Sequence, residues 1–168
     1  MRLESWLKKG AAVSCILIAW MGSIYGIFKV FLRLTEHAKR REKRFRLYYL
    51  LENEWLKLHN NGYKLEEYFI RHQFYKIAVY GMDNIGNRVQ EELNQSEKVE
   101  IAYMIDEEAY HKYGTGIIVD FEDNWEDVDI ILVTDEFYYP EIKAKIQEKG
   151  GWNVISLKDV ILEILQYK

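Results

Sequence analysis

The stretch that decides the fold is KIAVYGMDNIGNRV, Lys76 to Val89. It reads as an apolar strand that runs into a glycine turn and then into a helix. The turn has the frame G-x-G-x-x-G, filled here by Gly81, Met82, Asp83, Asn84, Ile85 and Gly86. Gly81 allows the sharp turn, Gly86 lets the helix approach the strand, and the amides at the helix start attract an anion. An aspartate stands where the frame calls for its middle glycine.

The sequence beyond the turn keeps the same rhythm. NIGNRVQEELNQ is a helix with Ile85, Val89 and Leu93 on one face, and VEIAYMID is a second strand. GTGIIVDF supplies a short third strand and VDIILVTD a fourth. YPEIKAKIQEKG is a helix stopped by glycines, WNVISL a fifth strand and KDVILEILQ a last helix. Strands this apolar suit burial on both faces of a parallel sheet. The β-α-β alternation predicts a single doubly wound α/β domain over residues 75–168, with five parallel strands in the order 3-2-1-4-5.

Ligands of such sheets lie off the carboxyl ends of the strands, where the order reverses between the first and fourth. That crevice is expected to be lined by Gly81 to Gly86, by Asp106 at the end of the second strand, and by Thr134, Asp135 and Glu136 at the end of the fourth. Asp106 lies 25 residues after Gly81, near where an acidic side chain takes ribose hydroxyls. A strand-end carboxylate that caps a nearby loop is an equal reading. The space suits one mononucleotide-sized ligand.

Asp83 changes what the crevice can hold. The middle glycine lets the backbone approach a pyrophosphate, whereas Asp83 adds bulk and a like charge, at a cost on the order of kcal/mol in a low-dielectric cleft. NAD(P) in its usual pose is therefore disfavoured. Asp83 either turns to solvent or caps the helix through the amides of Ile85 or Gly86. In the second case its own carboxylate fills the anion site.

The N-terminal segment has a different character. Ala11 to Phe28 is 18 residues without a charge, and the apolar run continues past Lys29 to Leu32. Twenty-two residues at about 1.5 Å each span about 33 Å, enough for a hydrocarbon core of about 30 Å. Residues 1–34 are expected to be a retained membrane anchor; a cleaved signal peptide is the main rival, but its apolar region would be shorter and no convincing small-residue cleavage site follows the run. Eight basic residues follow, from Lys29 to Arg46, against three before it, so the rest of the chain is expected in the cytoplasm, in a single-pass topology. The cluster KRREKRFR beside a span suits anionic headgroups. Gly22 and Gly26 form a G-x-x-x-G that permits a homodimer or a partner helix.

Residues 35–74 are expected to be a basic, amphipathic helical connector. Phe45, Tyr48, Leu51, Trp55 and Leu58 recur at helical spacing up to the stop at Asn60, Asn61 and Gly62, and KLEEYFIRH gives a short second helix. Such a stripe packs on the following domain or binds a partner.

Charge and composition exclude several chemistries. Residues 1–75 carry 14 Lys/Arg against 7 Asp/Glu, and residues 76–168 carry 9 against 20. The acidic half repels a phosphate backbone, so no nucleic-acid partner is expected. Cys15 is alone, and His37, His59, His72 and His111 lack ligand spacing, so neither a disulfide nor a metal site follows. Tyr139 and Lys143 fit Tyr-x-x-x-Lys but stand too close to the glycine turn for the acid/base pair of a short-chain dehydrogenase. No other catalytic constellation appears. DFEDNWEDVD lacks the alternation of a calcium loop.

KIAVYGMDNIGNRVQEEL through IAYMID, with VDIILVT and VISLKDVI, resembles the small Rossmann-like domains of bacterial capsule and surface-polysaccharide biosynthesis. Such domains precede the catalytic parts of membrane-bound nucleotide-sugar epimerases and dehydratases, and of sugar acyltransferases. LLENEWLKLHNNGYKLEEYF is similar to the helical lead-in of these domains. The resemblance covers about Phe45 to Leu165. It implies a cytoplasmic-face domain that binds a nucleotide or nucleotide sugar, with Gly81, Met82, Asp83, Asn84, Ile85, Gly86, Asp106 and Thr134 as ligand-binding residues and polysaccharide-biosynthesis enzymes as partners. A ligand-free scaffold and an NAD(P)-dependent oxidoreductase or epimerase are the alternatives.

Overall fold

The computed structural model describes residues 2–107 and 116–167, without the side chains of 2–19, 22–24 and 27. The chain divides into two units, Met1–Arg46 and Leu47–Lys168. Helix α1, Arg2–Asn60, contributes to both. In the first unit the described side chains leave Trp20, Met21, Tyr25, Phe28, Val30, Phe31, Leu32 and Leu34 exposed. Among the described residues no helix is long and apolar enough to cross a membrane. The expected span at 11–28, with its G-x-x-x-G, lies largely outside the described side chains.

The second unit is the α/β domain. Its elements after α1 are α2 (Glu66–Arg71), β1 (Lys76–Tyr80), α3 (Asn84–Leu93), β2 (Glu100–Ile105), β3 (Ile118–Val119), β4 (Ile130–Val133), α4 (Tyr139–Lys149), β5 (Val154–Ser156) and α5 (Leu157–Gln166). The strands form one sheet in the order β3-β2-β1-β4-β5, and each pairing is parallel. This is the predicted topology. The apolar strand runs explain it, because β1 from Ile77 onward and all of β4 are buried and a parallel sheet is covered by helices on both faces.

Alternation along β1 and β4 sends side chains to two cores. Ile77, Val79, Ile130 and Leu132 point to one; Ala78, Tyr80, Ile131 and Val133 point to the other. The first core is completed by Ile85, Val89 and Leu93 of α3, by Val160, Ile161 and Ile164 of α5, and by residues from the helical lead-in. Leu51, Trp55 and Leu58 of α1, and Leu65, Tyr68 and Phe69 around α2, are all buried there. The second core is covered by Ile142 and Ile146 of α4 and by Trp125 and Trp152.

The lead-in is therefore part of the fold. The compact unit starts at Leu47, inside the stretch expected to connect two others. The predicted stripe splits: Leu51, Trp55 and Leu58 are core, Tyr48 is half-buried, and Phe45 is 74% exposed and falls in the first unit. Burial of Leu58 is complete, so Leu58→Ala should lower unfolding free energy by about 2–5 kcal/mol in chemical denaturation. A loss near zero would mean that α1 does not belong to this core.

Candidate functional site

The glycine turn sits at the carboxyl end of β1, between β2 and β4. Gly81 has φ +101°, the left-handed region that side chains avoid, and a Cβ there would lie 2.6 Å from Thr134 Oγ1. Gly86 packs against the turn itself, since a Cβ on it would lie 1.9 Å from the Gly81 carbonyl oxygen. Both outer glycines of the frame thus carry the backbone roles read from the sequence.

Asp83 is the N-cap of α3. Its Oδ1 accepts from the amides of Ile85 at 3.0 Å and Gly86 at 3.1 Å. Asp106, buried at the end of β2, accepts from the Met82 amide through Oδ2 at 2.9 Å. The chain's own carboxylates thus hold three of the amides that face the anion position. Asp106 performs the loop-capping role, one of its two sequence readings.

The remaining predicted residues fall around this point. Met82, Ile85 and Gly86 are buried, whereas Asn84 is exposed. Thr134 is fully buried, and its hydroxyl donates to the Tyr80 carbonyl at 3.1 Å and to the Gly81 carbonyl at 3.4 Å. It ties β4 to the turn. Asp135 Oδ1 accepts from the amides of Phe137 and Tyr138 in the approach to α4. Glu136 Oε1 accepts from the Lys158 amide at 2.8 Å, at the start of α5, which Ser156 also caps.

The structure adds two features that local reading did not supply. Tyr48 of α1 reaches the turn, with its hydroxyl donating to Asp83 Oδ2 at 3.4 Å. Beside the turn, the buried Tyr80 hydroxyl donates to Glu107 Oε1 at 3.0 Å, and Lys145 Nζ donates to the same oxygen at 2.9 Å. Lys145 holds the Glu107 carboxyl below its usual range, while burial, reinforced by that carboxylate, pushes the Tyr80 phenol well up. Neither group is poised to exchange a proton near neutral pH. These contacts join residues far apart in sequence, and no local pattern marks them.

Tyr139 and Lys143 both line an open cleft of about 470 Å³ that does not include Gly81 to Gly86. The Tyr139 hydroxyl donates to the Val154 carbonyl at 3.3 Å, and Lys143 Nζ lies 5.7 Å from the Tyr139 ring centre. Among the described residues no group of His, Cys, Asp and Glu is arranged to hold a metal. Open clefts of about 580 and 640 Å³ occur among the described residues. One is lined by Trp55, His59, Tyr63, Lys64, Arg88 and Glu92, among others, and one by Glu107, Asp120, Phe121, Glu122, Lys145 and neighbours. Neither includes Gly81 to Gly86.

Carboxylates gather at this edge of the sheet, one of them, Glu107, paired with Lys145. Asp83, Asp106, Glu107, Asp120, Asp135 and Glu136 all follow the carboxyl ends of strands. A diphosphate would add like charge to them. No family model, no curated protein and no solved structure matches this chain.

Glu136 gives a test of the edge. Burial raises its carboxyl above the ordinary value of 4.5, despite the bonds from the Lys158 amide and the Ser156 side chain. A value raised on folding means that ionisation opposes the fold, so stability present below the ordinary value falls as pH climbs through the raised one. Glu136→Gln keeps an oxygen for the Lys158 amide and removes the ionisation. It should raise the thermal midpoint at pH 7, and the difference from the parent chain should vanish below about pH 4. An equal effect at both pH values would show that the charge is not the cause.

Proposed function

We propose that this chain is a membrane-tethered, Rossmann-like module on the cytoplasmic face that serves surface-polysaccharide biosynthesis by engaging a partner protein, without independent catalysis. One observation carries the reading: Asp83 and Asp106 occupy the amides of the glycine turn. A nucleotide diphosphate would have to displace a bonded carboxylate and then sit among several others. Among the described residues no proton-transfer pair lies at the turn. The fold retains a doubly wound sheet, and its turn is satisfied from within.

The tether rests on the sequence of the first unit. An uncharged run at 11–28 followed by KRREKRFR is the pattern of a span with a basic cytoplasmic flank. The exposed apolar side chains from Trp20 to Leu34 form a surface that lipid would cover. A reporter fused after Lys168 should be active only when the reporter type works in the cytoplasm. Activity of a periplasmic reporter at that position would overturn the orientation.

A second reading, binding of a nucleotide or nucleotide sugar in the crevice, draws support from the preserved geometry of Gly81 and Gly86. Titration calorimetry of the full chain in lipid nanodiscs separates the two. Nucleoside-diphosphate sugars, NAD and coenzyme A should give no saturable heat, and micromolar binding of any of them would favour the second reading. Asp83→Gly restores the frame. If Asp83 is what excludes the diphosphate, this variant should bind at least tenfold tighter than the parent, a difference of about 1.4 kcal/mol. Equal binding by the two chains would remove Asp83 as the cause.

A further inference from the structure

Helix α1 meets α3 through a row of polar contacts. Tyr48 donates to Asp83 Oδ2 at 3.4 Å, Glu52 Oε1 accepts from Arg88 Nη1 at 3.3 Å, and Trp55 Nε1 donates to Glu92 Oε2 at 2.9 Å. His59 Nε2 lies 2.9 Å from that same Glu92 oxygen. Positions 48, 52, 55 and 59 share one helical face, and their partners at 83, 88 and 92 run from the cap of α3 to its last turn. The two helices therefore lie side by side and point the same way within the compact unit.

The first contact in this row differs from the others in what it touches. Asp83 is both a neighbour of α1 and the residue that closes the glycine turn: Oδ2 faces Tyr48, and Oδ1 holds the amides of Ile85 and Gly86. One carboxylate thus links a long helix to the loop at the carboxyl edge of the sheet. The Tyr48 contact is long beside the ordinary O–H···O distance of about 2.7–2.8 Å, so parting it costs little. Below it, the buried Leu51, Trp55 and Leu58 and the Glu92 contacts keep α1 seated.

We infer that Tyr48 is a positioning residue that latches the glycine turn shut by steadying the Asp83 cap, so that a shift of α1 near its entry into the domain loosens the turn. The latch gives the domain a means of responding to a change along α1. It rests on the cap itself and holds whether or not a nucleotide ever binds.

Hydrogen exchange of the Ile85 and Gly86 amides, measured on the full chain in nanodiscs, tests the latch. Tyr48→Phe keeps the ring and removes only the hydroxyl. It should speed exchange of these two amides about threefold and leave the thermal midpoint unchanged. In an Asp83→Ala background exchange should be faster still, and Tyr48→Phe should add nothing to it, because its action passes through Asp83. Asp83→Ser, which keeps a capping oxygen too short to reach Tyr48, provides the same background should Asp83→Ala fail to fold. Unchanged exchange in Tyr48→Phe would overturn the latch, as would an equal acceleration with and without Asp83. Such a failure would leave the proposed function untouched, since that reading is decided by calorimetry.

Discussion

The close approach of Gly86 to the Gly81 carbonyl is the constraint on which the domain depends. A side chain at Gly86 would collide with backbone, and one at Gly81 would collide with Thr134 in a conformation that side chains avoid. These two positions let α3 start directly off β1 and fold back over the sheet. With α3 in place, Ile85, Val89 and Leu93 reach the core, β2 returns beside β1, and the remaining strands can add on either side. The hydroxyl of Thr134 then ties β4 to the same point.

Placing α3, α4 and α5 in a parallel α/β layout brings all three helix starts to one edge of the sheet. Each start has amides without partners inside the helix and a partial positive charge. This chain answers them with carboxylates and a hydroxyl: Asp83 at α3, Asp135 ahead of α4, and Glu136 with Ser156 at α5. Related layouts leave such starts open for phosphates. Here part of the acidic surplus of the second half has structural employment.

Much of this was legible in the sequence because it depends on short spacings. The strand–turn–helix frame, the apolar strands and the order of elements follow from local patterns of period two or near four. The cap by Asp83 was one of two readings, since an aspartate two or three residues ahead of amides needs no distant partner. Sequence alone does not separate ribose contact from loop cap for Asp106, because its partner, Met82, is 24 residues away. The helical spacing places Tyr48 in a packing stripe, and nothing local tells that its hydroxyl meets Asp83, 35 residues away. The same helical periodicity runs through Phe45 and Leu51, but only Leu51 has a core to enter, and periodicity alone does not mark where that core begins.

The occupied turn also has a meaning for sequence change. Codons for aspartate and glycine differ by one base in the second position, so the closed turn and the open glycine frame are neighbours under mutation. Crossing between them asks nothing of Gly81, Gly86 or Thr134, which already hold the backbone as the open frame requires. The turn's backbone is thus held by Gly81, Gly86 and Thr134 independently of the side chain at 83, while Asp106 holds the Met82 amide in either case.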